Sequence, residues 1–413
     1  MQNGIYQMHV VHKLAFNRQG GTAEERKAAQ IIQEEIASFG GTSELETFQI
    51  PRYQVKKASL RVTAPFEREV EVHGIGFSGC TPAEGLEAEL IYAEDAGAFK
   101  LKEAAGKILL LNENVYGHWQ EILDSGALGY IIMSGEYYDD PVCTDLARPY
   151  LRSHLLQKGR IPGLVIRTRE AMELVRDGAS RVQFTLLQEE GQVESANVVA
   201  EIKGSSNSEE FVLLSAHYDS VPYSVGAYDN ASGSADLLAL YGYFSENTPP
   251  MTMRFAWVGS EELGRLGSKA YAEAHCEALE KCRLNLNLDM TGSMIGYDET
   301  DIIADESLEH MVQYLAKEKG FDTVCKRVVR SSDSAVFADH GIPAIDFVRR
   351  GKGIIHSRHD LECQLSADVF ARTQTFMRQF LCRVMGSAAF PVPRVMPQDM
   401  REALDKHFLR TAK

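Results

Sequence analysis

Downstream of Val198, short apolar runs alternate with longer segments in which apolar residues recur at every third or fourth position. The short runs predict buried β-strands, and the longer segments predict amphipathic helices. A strand followed by a helix, repeated along the chain, indicates an α/β fold with a largely parallel sheet. The predicted strands are 198–202, 211–216, 252–257, 283–288, 301–304 and 344–348. The predicted helices are 231–245, 267–275, 308–320, 335–340 and 367–383.

The first part of the chain predicts one helix and one strand. Thr22 and Glu25 have the spacing of a capping box, an apolar stripe continues to Phe39, and Gly40 ends the pattern. We therefore expect a helix over residues 22–39. The next residues, 42–50, alternate well enough for a strand.

Residues 57–190 have a different pattern, with short strand-like runs separated by turns and two short helices. The predicted strands here are 59–63, 69–72, 88–92, 107–111, 130–133 and 163–166. We expect this segment to be a mostly β insertion. The remaining parts are then the N-terminal part of the main domain (1–56), the main α/β domain (191–390) and a C-terminal appendage (391–413).

Composition and charge argue against some classes of binding partner. The 413 residues are 44% hydrophobic and 24% charged, and the formal net charge of -15 argues against nucleic-acid and anionic-membrane partners. No apolar run reaches the roughly 18 residues of a transmembrane helix, so no membrane partner is expected. The chain shows no signal-peptide pattern, and its seven cysteines include no Cys-x-x-Cys pair, which favours a cytoplasmic protein. A secreted mature form would begin in the same way.

Residues with metal-binding side chains follow the predicted strands. His217 and Asp219 come directly after the strand at 211–216, and side chains two apart on an extended chain share a face. Asp219 can therefore accept a hydrogen bond from one ring nitrogen of His217 and orient the other toward a metal. A surface His–Asp pair is the alternative for this stretch taken alone.

A carboxylate at the start of the next helix is a second candidate. Asp229 lies between Gly226 and Gly233, and glycines allow the backbone to approach closely. One carboxylate placed between two cations can bridge them. A helix cap is the alternative, because Asp and Asn both favour that position.

Further candidates end the later strands. Glu261 and Glu262 follow the strand at 252–257; adjacent side chains point apart, so one can bind a metal while the other faces water. Asp289 closes an apolar strand, where a carboxylate is costly to bury unless it is paired or metal-bound. A solvated acidic turn and a helix cap are the respective alternatives. His356 and His359 compete for one further ligand position.

Taken together, these features predict a site with two metal ions. Nitrogen and carboxylate oxygen ligands suit zinc. Two Zn²⁺ ions would be balanced by Asp229, Glu262 and Asp289 together with a bridging hydroxide. Glu261 then remains outside the ligand set, free to take a proton.

The same residues resemble the co-catalytic two-zinc exopeptidase family, which includes aminopeptidase Y, the secreted bacterial leucyl aminopeptidases and, more distantly, glutamate carboxypeptidase and the transferrin receptor. The matching segments are 217–220, 226–233, 261–264, 267–268, 287–290, 332–333, 341–343 and 356–360. The insertion resembles a protease-associated domain through segments 106–111, 126–132 and 161–162. The resemblance implies a three-layer sandwich with a mixed, largely parallel central sheet.

The resemblance also implies a role for each site residue. It implies that one zinc is bound by His217 and Asp289 and the other by Glu262 and His356, with Asp229 bridging both. Glu261 becomes the general base, Asp219 orients His217, and a cis peptide is expected at Asp229–Asn230. The chain departs from the family at Ile355 and Ser334, so the substrate-binding residues stay undetermined.

The function expected from these patterns is metal-dependent hydrolysis of N-terminal residues from peptides. A carboxypeptidase or dipeptidase of the same family is the alternative, because the basic residues at 349–352 could bind a C-terminal carboxylate. A non-catalytic binding protein is the more remote alternative. No pattern sets the oligomeric state.

Overall fold

The computed structural model describes residues 4–113, 115–206, 208–351 and 354–410. The chain begins with α1 (Ile5–Leu14), α2 (Ala23–Ser38) and β1 (Ser43–Ala64). There follow β2 (Arg68–Val70), β3 (His73–Gly74), β4 (Leu86–Tyr92), α3 (Ala98–Leu101), β5 (Ile108–Leu111), α4 (Trp119–Asp124), β6 (Gly129–Ser134), α5 (Ser153–Leu156), β7 (Gly163–Arg167), α6 (Thr168–Arg176) and β8 (Arg181–Ile202). The remaining elements are β9 (Phe211–His217), α7 (Ser232–Glu246), β10 (Thr252–Val258), α8 (Leu266–Ala274), α9 (Cys276–Leu279), β11 (Cys282–Leu288), β12 (Gly296–Ile303), α10 (Glu306–Lys319), β13 (Thr323–Arg327), α11 (Asp333–Asp339), β14 (Ala344–Gly351), α12 (Ala367–Met385) and α13 (Gln398–His407).

The chain divides into two compact units. One combines Met1–Ile50 with Glu194–Lys413, and the other is Pro51–Val193. Among the described helices, none is both long and apolar enough to cross a membrane.

The first unit is built on a sheet with the strand order β13-β12-β14-β11-β9-β10-β8. Neighbouring strands from β14 to β10 are parallel, so their carboxyl ends lie at one edge. The register pairs His217 with Val258 across β9 and β10, and Leu288 with Phe347 across β11 and β14. In such sheets, ligands bind at the carboxyl ends of the strands.

Helices cover both faces of this sheet. Alternate strand residues such as Leu214 and Trp257 pack with α1, α2, α7, α10 and α12, whereas Leu213 and Val258 pack on the face of α8, α9 and α11. Burying one such large apolar side chain stabilises the fold by about 1.5–3 kcal/mol. The three-layer sandwich with a mixed, largely parallel sheet is therefore confirmed.

The second unit contains a smaller sheet of its own. Strands β4, β5, β6 and β7 are parallel, β3 pairs antiparallel with β7, and the first part of β8 pairs antiparallel with β4. The prediction of only two short helices here was wrong, because α3, α4, α5 and α6 all lie in this unit. Three of these helices are only four to six residues long, which is too short for an apolar periodicity to be detected.

Candidate metal centre

The five predicted metal ligands lie at the carboxyl edge of the first unit's sheet. His217 is the last residue of β9, and Asp289 follows the last residue of β11. Glu262 lies in the turn after β10, and His356 lies in the loop after β14. Asp229 lies in the turn before α7. Parallel strands thus bring together side chains that are far apart in sequence.

The first group surrounds His217, whose side chain is only 2% exposed. Its Nε2 atom lies 3.2 Å from Oδ1 of Asp229 and 3.4 Å from Oδ1 of Asp289. One ligand atom from each of these residues lies within 4.8 Å of the other two. This spacing suits a single metal ion held by one nitrogen and two carboxylate oxygens.

The second group surrounds His356, whose side chain is 51% exposed. Its Nε2 atom lies 3.0 Å from Oδ2 of Asp229 and 3.2 Å from Oε1 of Glu262. These three residues also fit a single metal ion. Asp229 therefore turns one carboxylate oxygen toward each group, and the open side of the centre lies at His356.

The carboxylates of the centre favour bound positive charge. Burial opposes a positive charge on His217, but the carboxylates of Asp289, Asp219 and Asp229 raise its pKa well above the usual range. Burial likewise opposes a charge on His356, and Asp229 and Glu262 raise its pKa to about 11. Each imidazole thus favours a positive charge, and metal ions can supply that charge in place of the protons.

Glu261 lies beside both groups but belongs to neither. Burial raises the pKa of Glu261 well above its usual range, and despite the attraction of His217, the carboxylates of Asp333 and Glu262 add to the rise. Asp333 is itself completely buried, and burial raises its pKa to about 6. A carboxylate with a raised pKa can accept a proton near neutral pH.

Asp219 holds the turn that carries the two glutamates. Its Oδ1 accepts a hydrogen bond of 2.9 Å from the backbone N–H of Glu261, and its Oδ2 accepts one of 3.2 Å from that of Glu262. Its Oδ1 also lies 3.4 Å from Nδ1 of His217. Asp219 was predicted to orient His217; its two backbone bonds to the glutamate turn were not foreseen.

Asp360 holds the turn that carries Asp229 in a similar way. Its Oδ1 accepts a hydrogen bond of 2.7 Å from the N–H of Tyr228, and its Oδ2 accepts one of 3.0 Å from the N–H of Asp229. The expected cis peptide at Asp229–Asn230 is present. The Asn230 side chain donates to the carbonyl of Leu288 at 2.9 Å and accepts from the N–H of Met290 at 3.0 Å. Sequence reasoning gave neither Asp360 nor Asn230 a function.

His359, the alternative to His356, is exposed and belongs to neither group. The structure thus brings His356 rather than His359 next to Asp229 and Glu262.

The arginines that could bind a substrate carboxylate are engaged elsewhere. Arg349 is buried and pairs with Asp298 at 3.0 Å. Arg350 pairs with Glu299 at 3.0 Å and with Asp301 at 3.1 Å. The third basic residue of this stretch, Lys352, lies outside the described residues. Two of the three basic residues therefore already have carboxylate partners within the fold.

Comparison with known proteins adds independent findings. The model of Peptidase family M28 matches residues 197–381. Aminopeptidase YwaD of Bacillus subtilis (strain 168) is 26% identical over 350 residues, which cover 80% of this chain and 72% of that protein. Carboxypeptidase Q of Mus musculus is 27% identical over 295 residues, which cover 66% of this chain and 61% of that protein.

Solved structures show the same fold. BSAP, a zinc aminopeptidase from Bacillus subtilis, superposes with a TM-score of 0.79 at 22% identity, covering 96% of this chain and 99% of that one. An aminopeptidase from Aneurinibacillus sp. strain AM-1 superposes with a TM-score of 0.75 at 22% identity, covering 96% of both chains.

Proposed function

We propose that this chain, a zinc metallo-exopeptidase whose residues 197–381 match the model of Peptidase family M28, is an aminopeptidase with two zinc ions. In this proposal it hydrolyses N-terminal residues from peptides. The peptide bond next to the free α-amino group is the bond that it cleaves.

The observation that carries the proposal is the position of Asp229. Its two oxygens lie 3.2 Å from a nitrogen of His217 and 3.0 Å from a nitrogen of His356. A carboxylate shared between two nitrogen-and-carboxylate groups is suited to bridge two metal ions. His217 and Asp289 would hold one zinc, and Glu262 and His356 the other.

Zinc would supply polarisation of the scissile carbonyl and a lowered pKa for water, as in two-metal hydrolases generally. Proton transfer is then the role of Glu261, the buried carboxylate beside both groups. Its raised pKa suits it to take a proton from the attacking water and to give that proton to the leaving amine. Asp219 keeps Glu261 in place through the backbone, so the Glu261 side chain is free for this exchange.

The surroundings of the centre favour a substrate with a free amino group. Two buried carboxyl groups outside the ligand set, Glu261 and Asp333, lie near the centre, and a carboxylate can pair with a substrate α-ammonium group. Arg349 and Arg350 already pair with carboxylates of the fold, which weakens the case for binding a C-terminal carboxylate. The name of aminopeptidase YwaD agrees with this choice, whereas that of carboxypeptidase Q keeps the carboxypeptidase as the alternative.

A panel of matched substrates tests the proposal. We expect an aminoacyl anilide with a free amino group to be cleaved and its N-acetylated form to be resistant. A chelator should abolish cleavage, and added zinc should restore it. Cleavage of only the N-blocked peptides, with release of their C-terminal residue, would instead support the carboxypeptidase. Cleavage that persists after complete removal of metal would contradict both.

A further inference from the structure

Arg18 is a completely buried arginine in the segment between α1 and α2. Burying a guanidinium is costly unless its N–H groups find hydrogen-bond acceptors. Here the acceptors are backbone carbonyls rather than carboxylates. Arg18 donates to the carbonyls of Leu14, Phe16, Tyr218, Val225 and Gly226.

Three of these carbonyls belong to the loop that joins two proposed metal ligands. Residues 218–226, here called the ligand loop, run from the end of β9 toward the turn that contains Asp229. Arg18 Nε donates to Tyr218 at 2.5 Å at the start of the ligand loop, and Nη2 donates to Gly226 at 2.7 Å at its end. One guanidinium therefore ties together the two ends of the loop.

Asn17 contacts the middle of the same loop. Its Nδ2 donates to the carbonyl of Val221 at 3.0 Å and to that of Ser224 at 3.3 Å. The backbone N–H of Arg18 donates to Oγ of Ser220 at 3.1 Å. Two adjacent residues thus contact the ligand loop at its start, middle and end.

The packing between Arg18 and the ligand loop leaves little room for movement. Gly226 has a φ of 53°, and a Cβ added there would lie 3.1 Å from Nη2 of Arg18 and 2.3 Å from the carbonyl oxygen of Asp229. The loop end, the guanidinium and the backbone of the shared ligand are therefore in close contact. A shift of Arg18 would be transmitted to Asp229 through backbone atoms.

From these contacts we propose that Asn17 and Arg18 are positioning residues of the metal centre. They hold the ligand loop so that His217 and Asp229 face the same metal ion. The inference rests on the proposed function, because it concerns the ligands of the zinc ions. Neither residue touches substrate or metal; both act through the backbone of the ligand loop.

The charge of Arg18 and its geometry have opposite effects on metal binding. Burial lowers the pKa of Arg18 to about 10, while the carboxylates of Asp219 and Asp360 oppose this, so the group stays charged at neutral pH. A positive charge near the centre repels a metal cation. The hydrogen bonds from Arg18 to the ligand loop have the opposite effect, because they hold His217 and Asp229 in the positions that metal binding requires. A variant that keeps the charge but loses the planar fork of donors separates the two contributions.

The experiment compares Arg18→Lys, Arg18→Met and Asn17→Ala in the full chain. Arg26→Met is the matched control, because Arg26 lies nearby in α2 and forms an exposed ion pair with Glu194 at 2.6 Å. Zinc affinity is measured by competition with a chelator. The absorption spectrum of the cobalt-substituted protein reports the ligand geometry. Hydrogen exchange of the metal-free protein reports the order of residues 218–226.

We expect Arg18→Lys and Arg18→Met to bind zinc at least roughly tenfold more weakly, as is typical when groups that orient ligands are lost. Their cobalt spectra should change, and exchange should rise in residues 218–226 more than in the rest of the chain. Asn17→Ala should change all three readouts in the same direction by a smaller factor. Arg26→Met should match the wild type.

The outcomes separate this inference from the proposed function. If the wild type binds no zinc, the proposed function fails. If the wild type binds zinc but a folded Arg18→Met matches its affinity and cobalt spectrum, the positioning inference is wrong. Full rescue by Arg18→Lys would assign the effect to charge and would also overturn it. Should both Arg18 variants fail to fold, Asn17→Ala decides, and wild-type values for that variant would overturn the inference.

Discussion

Glu261 and Glu262 are neighbours in one turn but have different surroundings. Glu262 lies 3.2 Å from the imidazole of His356, whereas Glu261 belongs to neither metal-binding group. We expect Glu261→Gln to lower kcat at least about a hundredfold, since general bases contribute 10²–10⁴-fold. Zinc content should stay at the wild-type value. Measured activity above a tenth of wild type would contradict the assignment of Glu261 as the base.

Asp229 is the carboxylate shared by both groups, so its loss should affect both metal ions. We expect Asp229→Ala to fold but to hold fewer zinc ions per chain than the wild type, as measured by atomic emission after gel filtration. Asp177→Ala is a suitable control, because Asp177 is a surface residue paired with Arg176. A normal zinc content in Asp229→Ala would rule out the bridging role.

Residue type and strand position indicated which side chains could meet at the centre, and the family resemblance chose His356 over His359. His217, Asp229 and Asp289 are of types that bind metals, and each lies near the end of an apolar strand or the start of a helix. Arg18 and Asn230 could not be predicted in this way. Their partners are groups of the backbone, which residues of every type carry, so the sequence contains no sign of these contacts.

At the scale of elements, the loop after β14 is joined to the turn before α7 by the Asp360 carboxylate. Asp360→Asn keeps the size of the side chain but turns an N–H donor toward a backbone N–H. We expect zinc affinity to fall roughly ten- to a hundredfold, while the metal-free protein keeps most of its stability. Calorimetric titration of the metal-free variant with zinc measures the affinity. Unchanged affinity would show that the loop is held without Asp360.

The predicted elements differ from the observed ones where polar residues cap a helix or form ion pairs between strands. Helix α10 begins at Glu306, earlier than predicted, because Asp305 caps a polar first turn by accepting from the N–H of Ser307 at 3.0 Å. Strand β12 begins at Gly296 and includes acidic residues that pair with arginines of β14. Apolar periodicity detects neither feature. Helix α1 and the edge strand β13 were missed altogether.

At the scale of the whole molecule, metal binding and stability are coupled through the histidines. Carboxylates raise the pKa of His356 to about 11 in the metal-free protein. Its ion pairs stabilise the metal-free fold fully below the unfolded pKa of about 6.5, and this contribution is lost as the pH rises toward the folded value. Zinc must displace these protons, so zinc affinity increases with pH.

We therefore expect a chelator to lower the unfolding temperature, and added zinc to raise it again. The increase caused by zinc should be larger at about pH 8 than at about pH 6.5, since the metal-free state weakens and the affinity increases over this range. Thermal unfolding at both values, at a fixed excess of zinc, measures the difference. An equal or smaller increase at the higher pH would contradict the coupling.

The fold class could be predicted because it depends on a repeated pattern rather than on single contacts. Alternating apolar strands and amphipathic helices between residues 198 and 385 leave few arrangements other than a covered parallel sheet. The likeness of residues 57–190 to a protease-associated domain stays a prediction, as does a cytoplasmic location. A small parallel sheet such as β4 to β7 does not by itself identify the function of that segment.

The hydrogen bonds of Asp219 have a consequence for how such a protein could change over evolutionary time. Asp219 contacts the N–H groups of Glu261 and Glu262, not their side chains. Any residue other than proline offers the same N–H groups at these two positions. The reactive carboxylates can therefore be exchanged without loss of the frame that presents them. A lineage could therefore lose catalysis through one or two substitutions in this turn and still keep the fold.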